Sequence, residues 1–240
     1  IPKNIVDYFA EYLNSVFRLD DDLERFYDNF NLDPISQTFG ELRGLRLMKA
    51  TNAFESLICS ICSQNTSVEM WNLTVNCIKR NWGRKYSFRD GGRFFTFPTS
   101  KVLVKVNEPK LQACSLGYRS KYILDVSRQV ENHRLKLEIL RKKGYNDVYE
   151  ALLKIRGIGP KVGDCFCLYG LGFNEAAPVD RWVSRVVSHL YFDNEPKSDT
   201  KIRKFIQKHF DKWAGYAQLY LFHAARTILR DKALGLHEIF

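Results

Sequence analysis

Between Leu152 and Asp180 the chain reads LLKIRGIGPKVGDCFCLYGLGFNEAAPVD, two apolar segments interrupted by Gly157-Ile158-Gly159. So tight a reversal between helical segments requires residues that reach positive φ without steric cost, and glycine is the one that does. The stretch is therefore predicted to be a helix-hairpin-helix. With no side chains at 157 and 159, the turn can press its backbone N–H groups against a phosphate, and Pro160 suits the first turn of the helix that follows. Lys161 stands in that same turn, where the positive end of the helix dipole opposes an ammonium charge and favours the neutral amine that a nucleophile needs. Further along, Ala177-Pro178-Val179-Asp180 has the form of a loop delivering an N-cap carboxylate to a helix that starts near Arg181. One amine and one carboxylate thus flank a phosphate-gripping turn.

A chain of 240 residues with 45% hydrophobic content can bury a sizeable core, as one domain or two packed lobes. Its formal charge is +10, and the basic residues are interleaved with 12 Tyr and 4 Trp rather than gathered into a tail. That pattern favours a polyanion partner, because Lys and Arg contacts release counterions and aromatic rings stack on exposed bases. Six cysteines in a chain this long do not make a disulfide-stapled module, so a reduced intracellular compartment is expected. Cys59 and Cys62 have metal-like spacing but lack a second pair, so they are expected to be buried thiols. No signal peptide and no apolar run of membrane-spanning length is visible, and a soluble protein is expected.

Apolar residues at 5, 9, 13 and 17 give the first segment the recurrence of an amphipathic, packing helix. Asp20-Asp21-Asp22 cap a second helix running through Phe30. Residues 45–82 read as two apolar-periodic helices joined at the polar tetrad Gln64-Asn65-Thr66-Ser67. From Tyr86 to Val106 a loop is expected, then a helix capped at Thr99 or Ser100, with a short hairpin about Gly91-Gly92 as the alternative. Ser115 to Tyr122 supplies a glycine turn leading into a helix through Val130, and Tyr149 to Ile155 is the first helix of the hairpin unit. Beyond Asp180 come a helix to about Leu190, a polar linker, and two further helices. The chain reads as all-α, with at most a vestigial strand.

LLKIRGIGPKVGDCFCL followed by APVD resembles the helix-hairpin-helix, Gly/Pro-rich, Asp motif of the DNA glycosylase superfamily, with Lys161 at the position that marks its glycosylase/lyase members. FRLDDDLERFY at 17–27, ICSQNTSVEMW at 61–71, SLGYRSKY at 115–122 and WAGYAQLYLF at 213–222 are similar, in the same order, to the 8-oxoguanine DNA glycosylase family. This resemblance implies an endonuclease III-like architecture of two helical lobes, 51–160 and 1–50 plus 161–240, with the hairpin at a cleft between them. It also implies an intracellular monomer that excises 8-oxoguanine from duplex DNA, in the nucleoid or cytoplasm of a prokaryote or in a nucleus, with no membrane association. No cofactor is required, although in many members a monovalent cation bridges the hairpin carbonyls and a phosphate. No Cys follows Cys167, so the four-Cys iron–sulfur cluster of some relatives cannot be built.

By the same resemblance Lys161 attacks C1′ of an extruded nucleotide and Asp180 stabilises the charge that develops on the sugar. Gln218 reads the Watson–Crick edge of the base and Phe222 stacks on it, or Gln218 is a satisfied structural amide; the two are four residues apart and so share one helix face. Cys165, four residues after Lys161, lines the base site or is a core thiol. Asn65 fills the gap left by the nucleotide, or with Thr66 merely caps the next helix. Tyr118 and Arg119 enter the duplex, or are a core anchor and a solvated charge, and Gly157 and Gly159 hold the backbone beside the lesion. The sequence departs from the family at Met70, where an Arg meets the orphaned cytosine, and at Trp182, where a His stands. The N-terminal β-sheet segment by which the eukaryotic-type enzymes distinguish 8-oxoguanine from guanine is not seen before Ile1, so the chain is expected to be either a fragment or a variant that discriminates otherwise. Two alternatives remain: a glycosylase for an alkylated purine or oxidised pyrimidine, or a helix-hairpin-helix module that binds DNA without catalysis.

Overall fold

The computed structural model describes residues 3–227. Its packing divides the chain into two units, one of residues 50–171 and one formed by the segments before 50 and after 171. The 50–171 unit is organised on helices Ala53–Cys62 and Val68–Trp82. Asn52 caps the first by accepting the Glu55 N–H, and Ser67 caps the second by accepting that of Met70. Leu57, Ile58, Ile61 and Ile78 on their facing sides are fully buried. Each contributes about 1.5–3 kcal/mol of transfer free energy. Helices Arg119–Glu131 and Tyr145–Leu153 complete the unit, the latter starting four residues before the predicted Tyr149.

The helix that begins at Pro160 does not part from this unit after the hairpin. It continues through wider turns over Phe166–Leu171, where Phe166, Cys167 and Leu168 are buried and Ala50 N–H donates to Tyr169 O at 2.7 Å. The division therefore falls after Leu171, whereas the sequence placed it after Pro160.

Two further differences concern the stretch after Trp82. Lys85–Ser87 and Arg93–Phe95 pair as an antiparallel hairpin with Tyr86 opposite Phe94, so the hairpin about Gly91-Gly92 forms and not the expected loop. Each strand opens on a basic residue, Lys85 and Arg93, and the turn Asp90-Gly91-Gly92 is closed by Gly92 N–H donating to Asp90 Oδ1 at 2.9 Å. The helix beyond it, Ser100–Leu103, starts after Thr99 as predicted. In addition, Cys77 and Cys114 form a disulfide, which the expectation of six reduced thiols did not include. It ties the Val68–Trp82 helix to the segment just before Gly117-Tyr118. Burial pushes the Cys62 thiol up to about 12, in keeping with a core residue.

The second unit is built on aromatic packing. Phe26 is fully buried among Phe39, Trp213 and Tyr220, with ring centroids 5.3–5.5 Å apart. The Tyr27 and Tyr220 hydroxyls lie 2.6 Å apart in this core, and Tyr216 donates to Asp21 at 2.5 Å. Helices Leu23–Asn29, Arg181–Tyr191, Asp199–Phe210 and Ala214–Thr227 bring these rings together. The first helix, Lys3–Phe17, forms as predicted but does not bury its stripe: Phe9 is 55% and Leu13 46% exposed. Among the described residues no helix is long and apolar enough to cross a membrane.

Candidate active site

The two hairpin glycines are required for different reasons. Gly157 has φ +88°, and a Cβ there would lie 2.2 Å from Cγ of Tyr122. Gly159 is extended at φ −91° and ψ −178°, and a Cβ on it would meet nothing within 4 Å. The first glycine serves the turn itself; the second leaves open space on its outer side. Ile158 between them is buried and anchors the turn. Gln64, Tyr122 and residues 153–159 line a hollow of about 440 Å³ at this point.

Lys161 follows in the first turn after the hairpin, half-buried. Its Nζ donates to Ser63 Oγ at 2.6 Å, and the Ser63 hydroxyl donates to Ser60 O at 2.7 Å. Ser63 belongs to the junction between the two central helices, and that junction is tied down on every side. Gln64 Nε2 donates to the Gly157 carbonyl at 3.0 Å, linking junction to hairpin. Cys165 lies one turn after Lys161 on the same helix and is half-buried.

Asn65 takes φ +43°, a conformation that Asn tolerates better than most residues, and is exposed. The cap of the following helix is Ser67, so Asn65 is not needed for that task. Its Nδ2 donates to the Tyr118 hydroxyl at 3.2 Å, and Tyr118 is 47% exposed rather than a core anchor. Arg119 is neither a solvated charge nor directed outward. Its guanidinium donates to Leu116 O at 2.9 Å and Gln64 O at 2.6 Å, with longer bonds to Cys62 O at 3.3 Å and Ser115 O at 3.4 Å. It binds the Tyr118 loop to the junction that carries Ser63 and Asn65. Met70 is exposed on the first turns of the Val68–Trp82 helix.

In the second unit Asp180 is the N-cap of Arg181–Tyr191, as the APVD loop predicted. Its Oδ1 accepts the N–H groups of Trp182 and Val183, both at 3.0 Å. Oδ2 takes no part in the cap. Gln218 and Phe222 lie on helix Ala214–Thr227. Gln218 is 5% exposed, and its Oε1 has no hydrogen-bond partner among the described residues. The oxygen of this amide is thus open, where a satisfied structural amide would have it bonded. Phe222 is half-buried, with the Arg226 guanidinium 5.4 Å from its ring centroid. Among the described residues no three His, Cys, Asp or Glu side chains gather as a metal ion would require.

Residues 58–212, which span the junction, the hairpin, Lys161 and Asp180, match the family described as HhH-GPD superfamily base excision DNA repair protein. The chain belongs to the HhH-GPD superfamily. It is 36% identical to a probable N-glycosylase/DNA lyase of Methanothermobacter thermautotrophicus over 97% of this chain and 79% of the relative. It is 31% identical to the N-glycosylase/DNA lyase of Saccharomyces cerevisiae, over 90% of this chain and 66% of that protein. Among solved structures it is similar to the 8-oxoguanine glycosylase/lyase of Clostridium acetobutylicum in complex with duplex DNA containing cytosine opposite 8-oxoguanine. That similarity has a TM-score of 0.87 and 30% identity, and covers 93% of this chain and 76% of the other.

Within this superfamily member, the motif residues fall on hairpin and cap as the sequence placed them. Ser63 and the bonding of Arg119 were missed. Ser63 gives no local signal, because a serine in the last turn of a helix ordinarily returns its hydroxyl to that helix's own backbone. Its second bond, to Lys161, spans 98 residues.

Proposed function

We propose that this chain is a bifunctional DNA glycosylase and abasic-site lyase that excises 8-oxoguanine from duplex DNA. The observation that carries the reading is Lys161, whose amine is held on Ser63 Oγ in the first turn after a hairpin with an open outer face. That contact fixes the amine at the junction beside the hairpin, where a nucleophile for the sugar of a gripped backbone has to stand. Membership of the superfamily and the lyase names of its relatives support the same assignment.

The target base must leave the stack before C1′ can be reached, at a cost of a few kcal/mol. Tyr118 and Asn65, exposed side by side, wedge the duplex and fill the gap, while Arg119 stays in its carbonyl cage and fixes their loop. Gly159 admits a phosphate to the hairpin. The Gly157 carbonyl, which accepts from Gln64, would be among the hairpin oxygens able to hold a monovalent cation, whose charge would steady a bound phosphate. No other cofactor is needed.

Lys161 attacks C1′ as a neutral amine, and the C1′–N bond breaks with its electron pair leaving on the base. The charge that develops on the sugar is stabilised by the Asp180 carboxylate. The C1′–O4′ bond of the resulting aminal then opens, O4′ taking a proton from solvent, to give a Schiff base that acidifies the 2′ proton, and loss of that proton expels the 3′ phosphate. The buried Oε1 of Gln218 accepts from the edge of the extruded purine, and Phe222 stacks on its face. The protein acts as a monomer on DNA inside the cell, in a nucleoid or a nucleus.

Borohydride trapping on duplexes that differ only in the damaged base tests the reading. An adduct is expected to form fastest with 8-oxoguanine and to vanish in Lys161→Gln. An adduct that persists in Lys161→Gln, or a preference for an alkylated purine or an oxidised pyrimidine, refutes it.

A further inference from the structure

We infer that Ser63 is a positioning residue for the reacting amine: its hydroxyl oxygen holds Lys161 Nζ by a proton, which turns the amine's lone pair away from the protein. The inference rests on the reading of Lys161 as nucleophile. A neutral amine offers two protons and one lone pair, and a hydroxyl can meet it either as donor or as acceptor. Were Ser63 the donor, its O–H would occupy the lone pair that has to attack C1′. The geometry assigns the other arrangement: Ser60 O, which can only accept, lies 2.7 Å from Oγ and takes the Ser63 proton. Oγ therefore faces Nζ, 2.6 Å away, with lone pairs only.

The holder is itself held. Ser63 N–H donates to Cys59 O at 3.1 Å, and the carbonyls on either side of it, Cys62 O and Gln64 O, accept from Arg119. The Gln64 side chain closes the frame onto Gly157 at 3.0 Å. Ser63 is thus set between two anchored neighbours, at the point where the wedge loop, the hairpin and the lysine meet. In the reaction Nζ bonds to C1′ and the C1′–N bond to the base breaks. The amine's surplus proton goes to the departing base or to solvent, and Ser63 leaves the step unchanged.

The test compares the full chain with Ser63→Ala, Ser63→Thr and Lys161→Gln. Trapping rate is measured on an abasic-site duplex under single turnover, and affinity on a duplex carrying a tetrahydrofuran abasic analogue. Ser63→Ala is expected to slow trapping roughly 10- to 100-fold, the cost of a misplaced nucleophile. Its affinity for the analogue stays within about twofold, since no contact to the nucleic acid is removed. Ser63→Thr, which keeps an oxygen able to donate to the carbonyl three residues back, restores most of the rate. Trapping by Ser63→Ala at the wild-type rate overturns the inference. So does an equal loss of rate and affinity, or a threonine variant no better than alanine. If the wild-type chain does not trap at all, or Lys161→Gln traps as well, it is the nucleophile assignment that fails, and the control shows this before Ser63 is judged.

Discussion

Replacing each hairpin glycine by alanine separates the two tasks that the motif combines. At Gly157 the new residue would have to keep φ at +88°, which costs an L-residue about 1–2 kcal/mol. Its Cβ would also sit 2.2, 2.5 and 2.6 Å from three atoms of Tyr122, including that residue's own Cβ. The ring cannot swing clear without moving the Arg119–Glu131 helix, so an overpacking cost of about 1–3 kcal/mol is added. The sum, about 2–5 kcal/mol, is a large share of a stability of about 5–15 kcal/mol. At about 2–4 °C per kcal/mol for a chain this size, Gly157→Ala should melt roughly 4–20 °C lower. Gly159→Ala meets neither obstacle and restricts the unfolded chain, so it should melt at or slightly above the wild-type temperature. Its methyl instead stands where a phosphate oxygen must approach. Loss of one charge-assisted hydrogen bond, about 1.5–3 kcal/mol, weakens duplex binding roughly 10- to 100-fold. Thermal melting by circular dichroism and fluorescence anisotropy with an abasic-analogue duplex read the two effects. If Gly157→Ala melts within a degree of wild type, or Gly159→Ala binds DNA as tightly as wild type, the division of labour drawn from the geometry is wrong.

Asp180→Asn keeps the cap oxygen, so its melting temperature should stay close to wild type while single-turnover excision falls roughly 100-fold; Asp180→Ala should lose about 1 kcal/mol of stability besides. An asparagine variant with full activity would show that the carboxylate serves the helix alone. The Cys77–Cys114 disulfide closes a loop of 37 residues, for which chain entropy gives about 4 kcal/mol. Cys77→Ser, or reductant, should lower the urea midpoint accordingly, and an unchanged midpoint would refute the assignment. Arg119→Lys cannot reach four carbonyls with one ammonium group; hydrogen exchange at residues 115–118 should quicken and trapping should slow even on DNA that is bound normally. Exchange as slow as in the wild type would mean that the guanidinium is not what orders the loop.

What the sequence disclosed was local. Asp22 and Asp180 cap helices because a short polar side chain bonds backbone two or three residues away, and that requirement is written in adjacent letters. The hairpin is legible for the same reason, and so is the amine in the turn after it. What remained hidden joins distant segments. The Cys77–Cys114 bond, the grip of Arg119 on Cys62 and Gln64, and the Ser63–Lys161 pair each depend on how helices meet, and no spacing rule records them. The strand pair after Trp82 was misjudged because two strands of three residues carry too short an alternation to distinguish from irregular chain. The apolar stripe of the first helix shows the converse: periodicity established the helix, but not that its apolar side would be covered.

The bare oxygen of Gln218 makes this fold a compromise. Leaving an acceptor buried and unmet costs the empty protein about 1–3 kcal/mol, so a leucine of similar bulk at that position would give a more durable molecule. Retaining the amide keeps a vacancy that only a donor of matching direction can fill, and selectivity for a visitor is thereby drawn from the protein's own stability.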